Sequence, residues 1–293
     1  MSIILTVLNI TAPVFLLAAV GFVWVKLGFE YRVQFVTRMA MTLAVPCLIF
    51  TALMETKIDP AALADLSLAA FVAYALVMIV SFVVVKLGEL ETRTYLAPLI
   101  FGNTGNLGLP LALFAFGQTG LGYAVVVFAV MAILSFTIGI WMVAGSGSLK
   151  RVAQEPLVAA TLLGAVFLWQ GWETPDFLTN TLTLIGQMAI PMMLITLGVA
   201  VARLETAALT QALVLSLIKV AVCVGAGWGA ALVFGLGPVA TAVLIVQLAT
   251  PVAVTSYLLA EKYGADAQPV AGLVVVSTLL SVATLPLILA FVI

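Results

Sequence analysis

The chain has 293 residues, of which 65% are hydrophobic and 8% are charged, and its mean hydropathy is +1.31. Because soluble domains are about 25% charged, this composition predicts an integral membrane protein. The net charge of −1 gives no electrostatic case for nucleic-acid binding. The chain has no histidine, which removes the commonest general base and metal ligand. Cys47 and Cys223 lie in apolar runs typical of packing residues, not of a disulfide or metal site.

Ten apolar runs approach the length of about twenty residues that a helix needs to cross a bilayer. The first lacks a basic leader segment and is too long for a signal peptide core, so we interpret it as a span. The sixth is short, and the connections are short too, so no separate soluble domain is expected. In chain order the runs cover residues 3–25, 33–54, 66–87, 95–117, 121–144, 156–172, 177–202, 207–234, 238–260 and 269–292.

Basic residues are concentrated in alternate connections between these runs. Positively charged connections stay on the cytoplasmic side, so the pattern predicts a multi-pass protein of the inner (plasma) membrane with both termini outside. Lys57 is the one basic connection residue that disagrees. The agreeing connections hold Lys26, Arg32, Lys86, Arg93, Lys150, Arg151, Arg203 and Lys262.

The fourth run contains the sequence FGNTGNLGLP at residues 101–110. Pro110 lacks a backbone donor, and the glycines raise the entropic cost of a helix. Broken backbone at membrane depth is tolerated only inside protein or beside a wet cavity. The sequence therefore predicts a discontinuous helix, a feature of transporter binding sites. The alternative is a proline-kinked packing helix whose glycines admit close neighbours.

The two halves of the chain carry corresponding interruptions, which predicts two inverted five-helix repeats. Residues 44–51 and 189–196 share a proline at the same place, and the ninth run is interrupted at residues 247–251. The repeats would cover residues 1–144 and 156–293, joined by a cytoplasmic linker at 145–155. Chance similarity of apolar segments is the alternative explanation.

Side chains at the two interruptions are candidates for binding a substrate. Asn103 and Asn106 are three residues apart and could share a helical face, and a half-helix beginning near Leu109 would present free N–H groups to an anion. In the ninth run Gln247 and Thr250 are also three residues apart. Hydrogen bonding between helices, worth about 0.6 kcal/mol per bond, is the alternative role. The candidate substrate-binding set comprises Asn103, Gly105, Asn106, Gly108, Pro110, Gln247, Thr250, Pro251 and Lys219.

Lys219 lies near the middle of the eighth run, where a charge costs at least about 2.5 kcal/mol. It could pair with a substrate carboxylate, bind backbone carbonyls of a broken helix, or extend toward the interface. No Asp or Glu lies deep in any run. This argues against a proton antiporter, an intramembrane protease and a magnesium-dependent prenyl transferase, so neither an enzyme, a metal nor a cofactor is expected.

The sequence at residues 103–110, the proline at Pro46 and the segment LLAEKYG at 258–264 resemble the auxin efflux carrier family, in particular its small bacterial members described as malate or malonate permeases. The resemblance implies an all-α fold like that of bile-acid sodium symporters and NhaA-type antiporters. It implies a scaffold of spans 1, 2, 6 and 7, at which two copies can form a homodimer, and a mobile transport domain of spans 3–5 and 8–10. The family's binding positions map onto Asn103, Pro110 and Pro251, but the ninth run has no asparagine before its proline.

Together these features predict a secondary carrier that moves a small organic anion, a carboxylate, by elevator-type alternating access within the lipid bilayer. A sodium- or proton-coupled symporter or antiporter of the same fold is the first alternative. A channel or a receptor is the second. The sequence does not name the substrate, the direction of transport or the coupling ion.

Overall fold

The computed structural model describes residues 3–55, 58–144, 156–203 and 209–292. The predicted linker at 145–155 and Lys57 lie outside the described residues. Within these ranges all regular elements are helices, and seven of them are long and apolar enough to cross a membrane. Two shorter apolar helices accompany them. The chain is thus a helical multi-pass membrane protein, while the count of ten spans stays a prediction.

The helices in chain order have the following bounds. They are α1 Ile3–Lys26, α2 Val33–Met39, α3 Val45–Met54, α4 Pro60–Leu87, α5 Thr92–Ile100, α6 Leu109–Leu134, α7 Ile140–Ala144, α8 Pro156–Gln170, α9 Asp176–Gln187, α10 Ala189–Arg203, α11 Leu209–Val233, α12 Pro238–Leu248, α13 Val254–Tyr263 and α14 Ala267–Val292. Three π-helical turns join some of them, at Ala40–Ala44, Thr104–Gly108 and Ser135–Gly139.

A glycine separates the two parts of the longest helical stretch. Residues Thr104–Ala144 form 41 consecutive helical residues, which would extend about 60 Å if straight, twice the thickness of a bilayer core. Gly117 interrupts it with φ 64° and ψ −153°, a conformation that glycine adopts without steric cost. The chain therefore turns at Gly117, at the end of the fourth predicted run.

Helix packing brings distant parts of the sequence together. Helix α1 packs against α10, and α3 packs against α8 and α9. Helix α11 packs against α4 and α14, and α12 against α6. The contact between α1 and α10 is close enough for backbones to touch: a Cβ on Gly198 would lie 1.7 Å from the carbonyl oxygen of Ala18, and one on Gly21 would lie 2.0 Å from that of Ile195.

Both predicted interruptions are present, and the first lies earlier than predicted. Helix α5 ends at Ile100, Phe101 is extended, and the helix resumes at Thr104 as a π-helical turn. Helix α6 begins at Leu109, where the half-helix start was predicted, but a π-helical turn at Thr104–Gly108 precedes it, so the helical stretch starts at Thr104. The second interruption lies between Leu248 and Val254 and contains Pro251.

Candidate functional site

The two interruptions cross and supply each other's backbone hydrogen bonds. The N–H of Asn103 donates to the carbonyl of Pro251 at 2.7 Å, and the N–H of Ala253 donates to that of Phe101 at 3.4 Å. Gly102 and Val252 form the antiparallel bridge between these bonds. Groups freed by breaking two helices in the membrane are thereby satisfied within the protein.

Two glycines allow this close approach. A Cβ on Gly102 would lie 2.3 Å from Thr250 Oγ1, and a Cβ on Gly108 would lie 2.0 Å from Gln247 Oε1. Gly105 is less restricted, since its Cβ would lie 3.1 Å from the ring of Phe128. Residues of the fourth and ninth runs that the sequence analysis selected separately are therefore in contact.

Several buried polar groups at the crossing lack partners. Asn103 is 5% exposed and its Nδ2 makes no hydrogen bond, and the same holds for Thr104 Oγ1 and Gln247 Oε1, which are fully buried. Leaving such a group unpaired costs about 1–3 kcal/mol, so an unmatched cluster calls for a functional explanation. In contrast, Thr250 Oγ1 donates to the carbonyl of Gln247 at 2.7 Å.

A small cavity of about 40 Å³ adjoins the crossing. One wall consists of the first turns of two half-helices: Asn106 belongs to the π-helical turn before α6, and α13 begins with Val254 and Thr255. The opposite wall comes from α2, the turn Ala40–Ala44 and α10. The cavity is lined by Val33, Thr37, Ala40, Met41, Asn106, Met193, Thr196, Val254 and Thr255. None of these residues is charged, so the positive ends of two helices face the cavity without an acidic neighbour in its lining.

The polar groups of the lining differ in whether they already make hydrogen bonds within the protein. Thr196 Oγ1 donates to the carbonyl of Met192 at 2.7 Å and is bonded to Tyr31 Oη at 2.8 Å. The side chains of Thr37, Asn106 and Thr255 make no hydrogen bond to any described residue, so their donors are free for a ligand. Sequence reasoning missed Thr37 and Thr255, although the position of Thr255 one turn after Pro251 is a signal that could have selected it.

Asn106 alone among the predicted polar side chains lines this cavity. Asn103, Gln247 and Thr250 lie at the crossing itself, buried beside it. The predicted common face for Asn103 and Asn106 is wrong, because Asn103 precedes the helix with φ −82° and ψ 52°. Pro110 is buried in the first turn of α6 and Pro251 pairs with Asn103 through its carbonyl.

Lys219 lies outside the cavity lining. Its side chain is 3% exposed, and Nζ lies 3.7 Å from Cys223 Sγ one turn further along α11. Tyr74 of α4 stacks on Phe101 with ring centroids 6.4 Å apart. The charge of Lys219 is thus buried in the packed interior around α11, and the described residues include no acidic partner for it.

Comparison with known proteins shows which protein family the chain belongs to. The model of a family described as membrane transport protein matches residues 6–155 and 145–289. The chain belongs to this membrane transport protein family. The match confirms the resemblance to auxin efflux carriers and shows that the chain is a membrane transporter.

Two relatives of the transporter carry related descriptions. A protein of Rhizobium meliloti (strain 1021) named "Putative malonate transporter" is 26% identical over 266 residues, which cover 83% of this chain and 81% of the relative. An uncharacterized transporter of Methanocaldococcus jannaschii is 24% identical over 199 residues, 64% of each chain. Both relatives are described as transporters, and neither as an enzyme.

Proposed function

We propose that the protein is a secondary transporter of a small organic anion and that the anion binds in the cavity beside the crossing. The observation that carries this proposal is the convergence of two half-helix N-termini on one uncharged cavity that also holds free donors from Thr37, Asn106 and Thr255. Each N-terminus carries a partial positive charge of about half an elementary charge, which favours an anion.

The chemistry of the lining fits a carboxylate. Hydroxyl and amide groups donate hydrogen bonds to carboxylate oxygens, and each such bond to a charged group is worth about 1.5–3 kcal/mol. The apolar side chains of Met41, Met193 and Val254 surround these donors. A short dicarboxylate would place its oxygens on the donors and its carbon chain on the methionines. The name of the Rhizobium relative makes malonate the first compound to test.

The size of the cavity requires its walls to separate during transport. A volume of about 40 Å³ holds only a few water molecules, whereas malonate has seven non-hydrogen atoms. The walls belong to different helix groups: α2 and α10 on one side, and the half-helices of α6 and α13 on the other. We therefore propose that α4–α7 and α11–α14 move as a transport domain against a scaffold of α1–α3 and α8–α10.

This movement fits elevator-type alternating access in a protein of two inverted repeats, with both termini outside the plasma membrane. In the proposal Asn106 contacts the substrate directly, and Asn103 supplies its unpaired amide from the crossing when the cavity opens. Gly105 and Gly108 allow the backbone to lie close to Phe128 and Gln247. The remaining predicted residues shape the crossing or its surroundings, namely Pro110, Gln247, Thr250, Pro251 and Lys219.

The test is uptake of labelled malonate and malate by proteoliposomes. Asn106→Ala should raise the KM for the transported acid about ten- to a hundredfold, since one hydrogen bond to a charged group is lost. Asn180→Ala is the matched control, because Asn180 is an amide on α9 that is exposed and does not line the cavity. Equal KM values for Asn106→Ala and the parent would remove Asn106 from the site, and failure to take up any carboxylate would overturn the function.

A cation-coupled carrier of the same fold is the second candidate. The observation that favours it is the pair of buried oxygens without partners at the crossing, Gln247 Oε1 and Thr104 Oγ1, since oxygen atoms are the ligands of hard cations. Uptake should then depend on sodium or on an imposed pH gradient. Identical rates in sodium and choline buffers, with and without a pH gradient, would exclude coupling to either ion.

A further inference from the structure

The connection between α1 and α2 is bonded to α10 through the hydroxyl and the backbone carbonyl of one residue, Tyr31. Tyr31 Oη lies 2.8 Å from Thr196 Oγ1, and the carbonyl of Tyr31 accepts a hydrogen bond from Arg203 Nη2 at 2.8 Å. Thr196 lies in the middle of α10, and Arg203 is its last residue. Tyr31 is half-buried, so these bonds are partly shielded from water.

The direction of the hydroxyl bond follows from counting protons. Thr196 has a single hydroxyl proton, which it donates to the carbonyl of Met192 at 2.7 Å. Tyr31 must therefore be the donor to Thr196. Burial raises the pKa of the Tyr31 hydroxyl above its ordinary value. The donor proton is accordingly retained at neutral and mildly alkaline pH.

Helix α2 begins two residues after Tyr31 and packs against α10. It has only seven residues, its N-cap residue Arg32 makes no side-chain capping bond, and a π-helical turn follows it directly. Val33 and Thr37 of this helix line the cavity opposite the transport-domain half-helices, beside Met193 and Thr196 of α10. The bonds of Tyr31 thus join the chain at the start of α2 to the other helix of the scaffold wall.

We propose that Tyr31 is a positioning residue for substrate binding: it holds α2 against α10 so that the Thr37 hydroxyl stays within reach of the bound anion. The inference rests on the proposed function, because it assigns the cavity to the substrate. Tyr31 itself does not touch the substrate. Its effect is transmitted through Thr196 and through the start of α2.

The central experiment measures KM and maximal rate of malonate uptake for Tyr31→Phe. We expect KM to rise about three- to tenfold, the effect of one neutral hydrogen bond, with an unchanged maximal rate. Tyr95→Phe is the matched control, since Tyr95 Oη donates to Gln211 Oε1 at 2.9 Å and lies outside the cavity lining. Thr196→Val should match Tyr31→Phe, and the double variant should show no further rise.

A second measurement does not depend on the substrate. Spin labels at Gln34→Cys on α2 and Gln187→Cys at the end of α9, in a chain whose Cys47 and Cys223 are replaced by Ala, should give a broader distance distribution when Tyr31→Phe is added. An unchanged distribution would overturn the proposed attachment. A broader distribution with a parental KM, while Asn106→Ala does raise KM, would overturn the positioning role alone. If neither variant changes KM, the cavity is not the substrate site and the proposed function fails with it.

Discussion

The interruption at residues 101–103 and the one at residues 249–253 meet at one crossing, yet their side chains are used differently. In the first, the Asn103 amide has no partner and Asn106 lines the cavity. In the second, Thr250 donates back to the carbonyl of Gln247, and the N–H of Val252 donates to Ser277 Oγ at 3.0 Å. The first interruption supplies an unpaired amide donor and a side chain in the cavity. The second bonds Thr250 and Val252 internally and leaves one acceptor, Gln247 Oε1, unpaired. The two interruptions can therefore resemble each other in backbone geometry while the first supplies groups for substrate recognition and the second supports the structure.

The largest effect is expected from removing the close approach of the two interruptions. In Gly102→Ala the new Cβ would meet Thr250 Oγ1 at 2.3 Å and the Thr250 carbonyl oxygen at 3.0 Å. Overpacking of this kind costs about 1–3 kcal/mol, and we expect transport to be lost. Gly225→Ala is the control, because a Cβ there meets nothing within 4 Å. Thermal melting and uptake of both variants provide the check, and parental uptake by Gly102→Ala would show that the crossing tolerates separation.

The next largest effect tests whether the first interruption recognises the substrate or only supports the structure. Asn103→Ala should raise the dissociation constant for the transported anion about ten- to a hundredfold. Its melting temperature should change little, because the Asn103 Nδ2 makes no hydrogen bond that could be lost. Isothermal titration and thermal melting of the purified variant would test both halves of this expectation. A lower melting temperature with unchanged affinity would assign Asn103 to support instead.

The opposite result is expected at the second interruption. Thr250→Val removes the hydrogen bond to the carbonyl of Gln247 and should lower the unfolding free energy by about 1 kcal/mol. Affinity should remain within about threefold of the parent, since Thr250 does not line the cavity. The same two assays decide the outcome, and a tenfold loss of affinity at parental stability would contradict the division between the interruptions.

The smallest effect on affinity is expected for Lys219→Met. Lys219 lies beside Cys223, away from the cavity lining, so the dissociation constant should stay within about twofold. Replacing a buried charge by an apolar side chain of similar volume is often neutral or stabilising, so the melting temperature should not fall. A large loss of affinity in binding assays would return Lys219 to the substrate site.

The sequence predicts the location of the interruptions better than their geometry. Glycines, amides and prolines signal broken helices at 101–110 and 247–251, because these residues oppose helix by local chemistry alone. Pro110 marks the start of α6, but it does not reveal the π-helical turn at Thr104–Gly108 that extends the helical stretch back to Thr104. Thr37 could not be selected from the sequence, because threonines are common in the chain and only tertiary packing brings this one to the cavity.

The backbone contact between α1 and α10 also bears on how the chain is made. Gly21 leaves the ribosome about 180 residues before Gly198, and at about 5–20 residues per second this delay lasts about 10–40 s. During that time the first inserted helix resides in the bilayer without the partner that its glycine face fits. Lipid or the insertion machinery must cover that face until Gly198 has been synthesised. The glycines that let α1 and α10 contact each other closely in the finished scaffold therefore also mean that α1 cannot dock until α10 has been synthesised.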